Sequence, residues 1–246
     1  MTLAAAALAL FVGAALQSAT GFGFALVSAP ILFALLGPRE AVTAGVLVAL
    51  VPNLLTLFGE RRRPQVLGRD IVGLLLWSLP GLALGALALR ALSDQVLTAF
   101  VAIAVLAGVA LRAWSRRTSA RAGAAPALAP WQLPVTGVTS GVLSTATSLN
   151  GPPLVFYLLA RGAKPEQTRD TLAAIFLVHA VLGVPALLLS GTFAMPDAIG
   201  VLVVAAFAGQ VLGRRAFGWL RGERYELAVY AVLVATGLVA LAASFA

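Results

Sequence analysis

Cysteine is absent from the 246 residues, so disulfides and thiolate metal sites are excluded. The single histidine, His179, excludes any multi-histidine metal centre. Charge is scarce as well: 11% of residues are charged and 61% hydrophobic, where a soluble domain carries roughly a quarter charged residues. Neither a Walker phosphate-binding loop nor a G-x-S-x-G nucleophile elbow occurs, which argues against nucleotide-driven work and serine hydrolysis. No cofactor, no metal and no enzymatic activity are therefore expected. What is present in quantity is apolar sequence, and it reads as an all-α polytopic membrane protein. The formal charge of +8 marks topology on so apolar a chain rather than a nucleic-acid partner. The opening "MTLAAAALALFVGAALQSA" lacks the basic start of a secretory signal, and its apolar run continues past any cleavage site.

Apolar stretches lie at about 1–36, 41–59, 71–89, 95–111, 131–160, 171–190, 197–213 and 226–246. Most match a single membrane crossing, which needs ~20 residues. The first and fifth are too long for one crossing and too short for two. Each carries a helix breaker near its centre, "ATGFGF" in the first and "SLNGPP" in the fifth. The chain also repeats at an offset of 128 residues: Gly13 corresponds to Gly141, Gly23 to Gly151, Leu26 to Leu154, Val27 to Val155, Gly81 to Gly209, Gly85 to Gly213 and Leu92 to Leu220. Two repeats follow, 1–111 and 131–246, joined by the polar then Ala/Pro-rich linker 112–130.

Basic residues decide between topologies. All 17 except Arg39 and Arg90 fall in four loops. These hold Arg61, Arg62, Arg63 and Arg69; Arg112, Arg116, Arg117 and Arg121; Arg161, Lys164 and Arg169; and Arg214, Arg215, Arg221 and Arg224. If all the stretches crossed fully, two of these loops would lie on each side and the orientation signal would vanish. If 131–160 enters and leaves on one side, all four loops are cytoplasmic, as the positive-inside rule prefers. Trp114, Trp131 and Trp219 then sit at the cytoplasmic interface, where aromatic anchors belong. The expected architecture is two inverted repeats, each a re-entrant helical hairpin (1–36 and 131–160) plus three transmembrane helices. The alternative is seven or eight full crossings.

In the hairpin reading, "SLNGPP" is a tip, with Asn150 as N-cap of a helix entered through Pro152. Non-helical backbone at membrane depth survives only where protein or a water-filled cavity satisfies it. Helices leaving two tips present unpaired N–H groups and positive dipole ends, which suit an anion. Gln17, Ser18, Thr20, Gly21 and Gly23 flank one tip; Ser144, Thr145, Thr147, Ser148, Asn150 and Gly151 flank the other. These donors suit an oxyanion without a buried charge. Asn53 beside Pro52 is a further binding candidate. His179 is a candidate carrier of a coupling proton. Arg39, Arg169 and Gln210 are candidates for gating or lining. Two rival functions compete with a secondary transporter. One is a passive anion channel. The other is an intramembrane serine protease using Ser144 or Ser148 with His179.

The chain resembles the sulfite exporter TauE/SafE family, also called the TSUP permeases. The residues that carry the resemblance are "GAALQSATGFGFALVSAPIL" and "REAVTAGVLVALVPNL" in the first half. In the second half they are "GVTSGVLSTATSLNGPPLVFYLLARG" and "RDTLAAIFLV". The closing patterns "GLALGALALRAL" and "GQVLGRRAFGWL" complete it. The family's glycine cluster at the first break reads "GFGF" here. The resemblance implies export of sulfite or an organosulfonate and residence in a bacterial inner membrane. Partners expected are a small anion, the lipid bilayer and, from the small-residue surfaces, a homodimer.

Overall fold

The computed structural model describes residues 2–59, 62–101, 103 and 129–217, with the side chains of 19, 20, 165, 216 and 217 excepted. The far part of the 95–111 stretch, most of the linker, the 226–246 stretch, Trp114 and Trp219 lie outside the described residues. So do Arg61, Arg112, Arg116, Arg117, Arg121, Arg221 and Arg224. The described elements are helices, with no strand among them: α1 (Thr2–Thr20), α2 (Phe24–Leu36), α3 (Pro38–Phe58), α4 (Gly68–Ala91), α5 (Gln132–Thr147), α6 (Gly151–Ala160), α7 (Pro165–Ser190) and α8 (Ile199–Phe217). Residues 94–101 are also helical.

Both long stretches break where their sequences dictate. Gly21 and Gly23 adopt φ of 78° and 113°, in the left-handed region open to glycine, and the chain reverses into α2. In the fifth stretch, Pro152 and Pro153 have no N–H for the carbonyls of Ser148 and Leu149, so α5 cannot run on. It ends in an αL turn: Ser148 takes φ 63°, and its N–H donates to Ser144 O at 3.1 Å. Pro152 then opens α6 in its first turn. Asn150 holds the N-cap position, but its side chain makes no capping bond; its amide is engaged elsewhere.

Glycine seams set the packing. α4 and α5 run parallel in contact. Gly81 meets Val138 O and Gly85 meets Val142 O, while Gly137 and Gly141 admit Trp77 and Ser78 O from the other side. α1 and α8 also run parallel, with Gly209 against Phe11 O and Gly213 against Ala15. Close backbone approach through small residues is how helices associate where no hydrophobic force separates protein from solvent. α3 faces α7 at the centre. Pro52 interrupts the α3 ladder, and its carbonyl accepts from Thr56 Oγ1 at 2.8 Å and Gln210 Nε2 at 3.3 Å.

Polar contacts sort the helix ends. At one end Arg214 donates to Gly59 O, Arg62 clasps Asp170 with two bonds of 2.7 Å, and Tyr157 and Arg161 both donate to Asp70. At the other, Ala194 N–H donates to Thr43 Oγ1 and Arg90 reaches Ser190 O. Leu133 packs on Gly73 and Arg161 on Asp70. Segment 131–160 therefore starts and finishes beside the first turns of α4. Asp170 is wholly buried and also accepts from Gln65 N at 2.8 Å. Asp170→Asn strips its charge from the clasp and leaves a donor facing a donor. It should cost about 2–3 kcal/mol, read as a lower melting temperature in detergent.

The outer faces are apolar. Trp77, Leu76, Leu84 and Leu87 of α4 and Val204 and Phe207 of α8 are exposed, which water would penalise and lipid would not. Three helices, Pro38–Phe58, Gly68–Ala91 and Glu166–Ser190, are long and apolar enough to cross a membrane. This is a membrane protein.

Candidate functional site

The two breaks meet. A cavity of about 550 Å³, counting the part that opens outward, is lined by the first tip (Gln17 and Phe22 to Leu26) and by the second (Ser144 and Ser148 to Pro152). α3 closes it with Gly45, Val46, Ala49 and Asn53, and α7 with Phe176 and Ala180.

The tips contribute differently. Phe24, Ala25 and Leu26 form the first turn of α2, whose N–H groups have no acceptor within the helix. The corresponding turn of α6 contains Pro152 and Pro153, which have no N–H, so Gly151 alone supplies a first-turn donor there. The second tip compensates with side chains. Ser148 Oγ lies 3.4 Å from Val42 O and fits only because Gly45 has no Cβ beneath it. Asn150 Nδ2 contacts His179 Nδ1 at 3.1 Å and Ser144 Oγ at 3.4 Å. Asn150 Oδ1 has no partner among the described residues and, on a half-buried residue of the wall, is left to the cavity. Across from it, Gln17 Nε2 donates to Asn53 Oδ1 at 2.7 Å, and Asn53 Nδ2 donates to Ala49 O at 2.8 Å.

Of the residues singled out in the sequence, Gln17, Gly23, Asn53, Ser144, Ser148, Asn150 and Gly151 share this cavity. Others stand apart from its wall. Ser18 Oγ turns back to Ala15 O at 2.6 Å. Gly21 packs against the Arg169 backbone. Thr145 Oγ1 bonds Leu82 O at 2.7 Å across the α4 seam. Thr147 Oγ1 donates to Leu143 O and accepts from Leu149 N–H, bracing the turn. The Thr20 side chain lies outside the described ones. His179 is buried behind Asn150, with Nε2 unpartnered among the described residues. Gln210 joins Pro52 O and Thr56 on the α3–α8 seam. Arg39 is exposed in the first turn of α3, and Arg169 reaches Ser18 O at 3.5 Å. Neither Ser144 nor Ser148 is hydrogen-bonded to His179; Asn150 stands there instead.

Sequence reasoning passed over the aromatic wall of Phe22, Phe24 and Phe176, and over Gly45 and Ala49. A signal existed for the last two: Ala49 is one helical turn before Asn53 and Gly45 two turns before it, a small-residue face leading to the amide.

The family model described as sulfite exporter TauE/SafE matches residues 5–240. No curated protein and no solved structure gave a match.

Proposed function

Since the chain belongs to the sulfite exporter TauE/SafE family, a family of transporters, we propose that it is a secondary transporter that exports sulfite or a related organosulfonate across a bacterial inner membrane. The observation that carries this reading is the cavity shared by the two helix breaks. It combines free helix-start N–H groups with hydroxyl and amide side chains. Among the described residues, no charged side chain lines it. That composition binds an oxyanion by directed hydrogen bonds and releases it more easily than a buried cation would.

The alternating access of such a carrier needs two parts that rock about a fixed site. Two inverted repeats supply them. The pairing supports this: α4 on α5 in parallel is answered by α8 on α1 in parallel, and Gly81 and Gly85 correspond at the 128-residue offset to Gly209 and Gly213 in the same role. The end holding Arg62, Arg161 and Arg214 is the cytoplasmic one by the positive-inside rule.

Counterflow in proteoliposomes tests the function. Vesicles preloaded with unlabelled sulfite should accumulate labelled sulfite from outside, with saturation. Flux without counterflow would make the protein a channel. No flux from folded protein would defeat the assignment of substrate.

Ser148 gives a second test. A non-glycine residue at φ 63° costs about 1 kcal/mol. Ser148→Gly should therefore raise the melting temperature while weakening sulfite binding several-fold, through loss of the hydroxyl. A variant that is more stable and binds as well would remove Ser148 from the site.

A further inference from the structure

We propose that His179 and Asn150 couple the anion to a proton by reversing the Asn150 amide, a mechanism that rests on the transport reading above. In the structure the amide nitrogen of Asn150 faces His179 Nδ1. An NH2 group can only donate, so Nδ1 is the acceptor and the ring is neutral with its hydrogen on Nε2. The amide oxygen is then the end left to the cavity, where it accepts and opposes a bare oxyanion.

Adding a proton to Nδ1 makes both ring nitrogens donors. Nδ1–H can no longer receive Asn150 Nδ2–H, and a half-turn of the amide brings Oδ1 to the ring instead. The NH2 group then points into the cavity as a donor, with an imidazolium behind it. Ser144, 3.4 Å from the amide nitrogen in the first arrangement, follows by rotating its hydroxyl from acceptor to donor. One proton is taken from cavity water at Nδ1, one anion is bound, and both leave together. Nε2–H is unchanged throughout.

Among the described residues, no ionisable side chain is hydrogen-bonded to His179. Charged and titratable groups on the helices packed around it sit in or beside terminal turns: Arg39 and Glu40 on α3, Arg69, Asp70 and Arg90 on α4, Tyr157 and Arg161 at the end of α6, Lys164, Glu166, Arg169 and Asp170 at the start of α7. Tyr157 and Arg161 turn to Asp70, and Asp170 to Arg62. α5 carries no charged residue. Proton and anion affinities are then reciprocal. Where coupling is complete, anion affinity falls by about tenfold per pH unit as pH rises.

The lone histidine makes the test direct. The full chain, purified on a tag without histidine and labelled with 15N-histidine, is placed in nanodiscs. Nitrogen NMR should show the Nε2–H tautomer without anion and a doubly protonated ring with saturating methanesulfonate or sulfite. Methanesulfonate keeps its charge as pH changes, so its calorimetric titration in two buffers should report about one proton taken up per anion, and none in His179→Gln. An Nδ1–H tautomer in the free protein would overturn the mechanism. So would a ring that stays neutral while calorimetry shows the anion bound, and that outcome would leave the transporter reading standing. Failure of both anions to bind folded protein would overturn the transport reading and this mechanism with it.

Discussion

Gly209→Val is expected to leave little folded protein. A Cβ at this position would lie against the Phe11 carbonyl, with the Phe11 carbonyl carbon 2.8 Å away. These are backbone atoms, which cannot rotate aside, so α1 and α8 would have to part along their seam. Overpacking a core side chain costs about 1–3 kcal/mol, and a backbone obstacle belongs at or beyond the top of that range. Total stability is on the order of 5–15 kcal/mol, so the loss is a large share of it. Gly81→Val should behave alike, because Val138 O and the Gly141 backbone stand in the same relation to it. Gly200 has nothing within 4 Å of the place a Cβ would take, and Gly200→Val should leave the melting temperature within a few degrees of wild type. Thermal unfolding followed by tryptophan fluorescence separates the three. Equal melting temperatures would mean that the seams are not the backbone contacts described.

Asn150→Asp should abolish sulfite counterflow in protein that still folds. The substitution nearly conserves shape, so packing around the second tip is retained. It replaces the amide whose nitrogen lies 3.1 Å from His179 Nδ1 with a carboxylate, which an imidazolium would hold in an ion pair. A carboxylate about 4 Å from a bound anion costs about 4 kcal/mol at an effective dielectric constant near 20, or about a thousandfold in affinity. Asn150→Ala removes a hydrogen bond without adding charge and should weaken binding about tenfold. The ordering of the two variants distinguishes electrostatic exclusion from a loss of packing, which alanine would inflict more than aspartate. Wild-type affinity in both would take the second tip out of the binding site.

What was legible in the sequence follows from local constraints. Glycines with positive φ and prolines without N–H stop helices wherever they occur, so "ATGFGF" and "SLNGPP" mark the breaks at Gly21 to Gly23 and Ser148 to Asn150. Composition alone required a lipid-facing surface. The flanking charges of 131–160 predict a one-sided return, and its two ends pack beside the first turns of α4. The family is carried by such spaced glycines and prolines, and it too was readable from the chain.

Side-chain direction was not legible. Ser18, Thr145 and Thr147 have the same chemistry as Ser148, and nothing in their spacing tells a hydroxyl that braces its own helix from one that faces a cavity. That choice depends on the rotation of each helix about its axis, which neighbouring helices decide: Gly213 draws Ser18 inward, and Leu82 O takes Thr145. Asn150 was expected to cap α6, as its position and type suggest. In the folded chain its amide meets His179, 29 residues further on, a partner only tertiary packing provides. Residue type and spacing thus determined the membrane class, the breaks and the pool of polar candidates. Which of them converge on the cavity, and which meets the lone histidine, was decided by helix packing, because a hydrogen bond is specified by two positions in space and the sequence sets only an order along the chain.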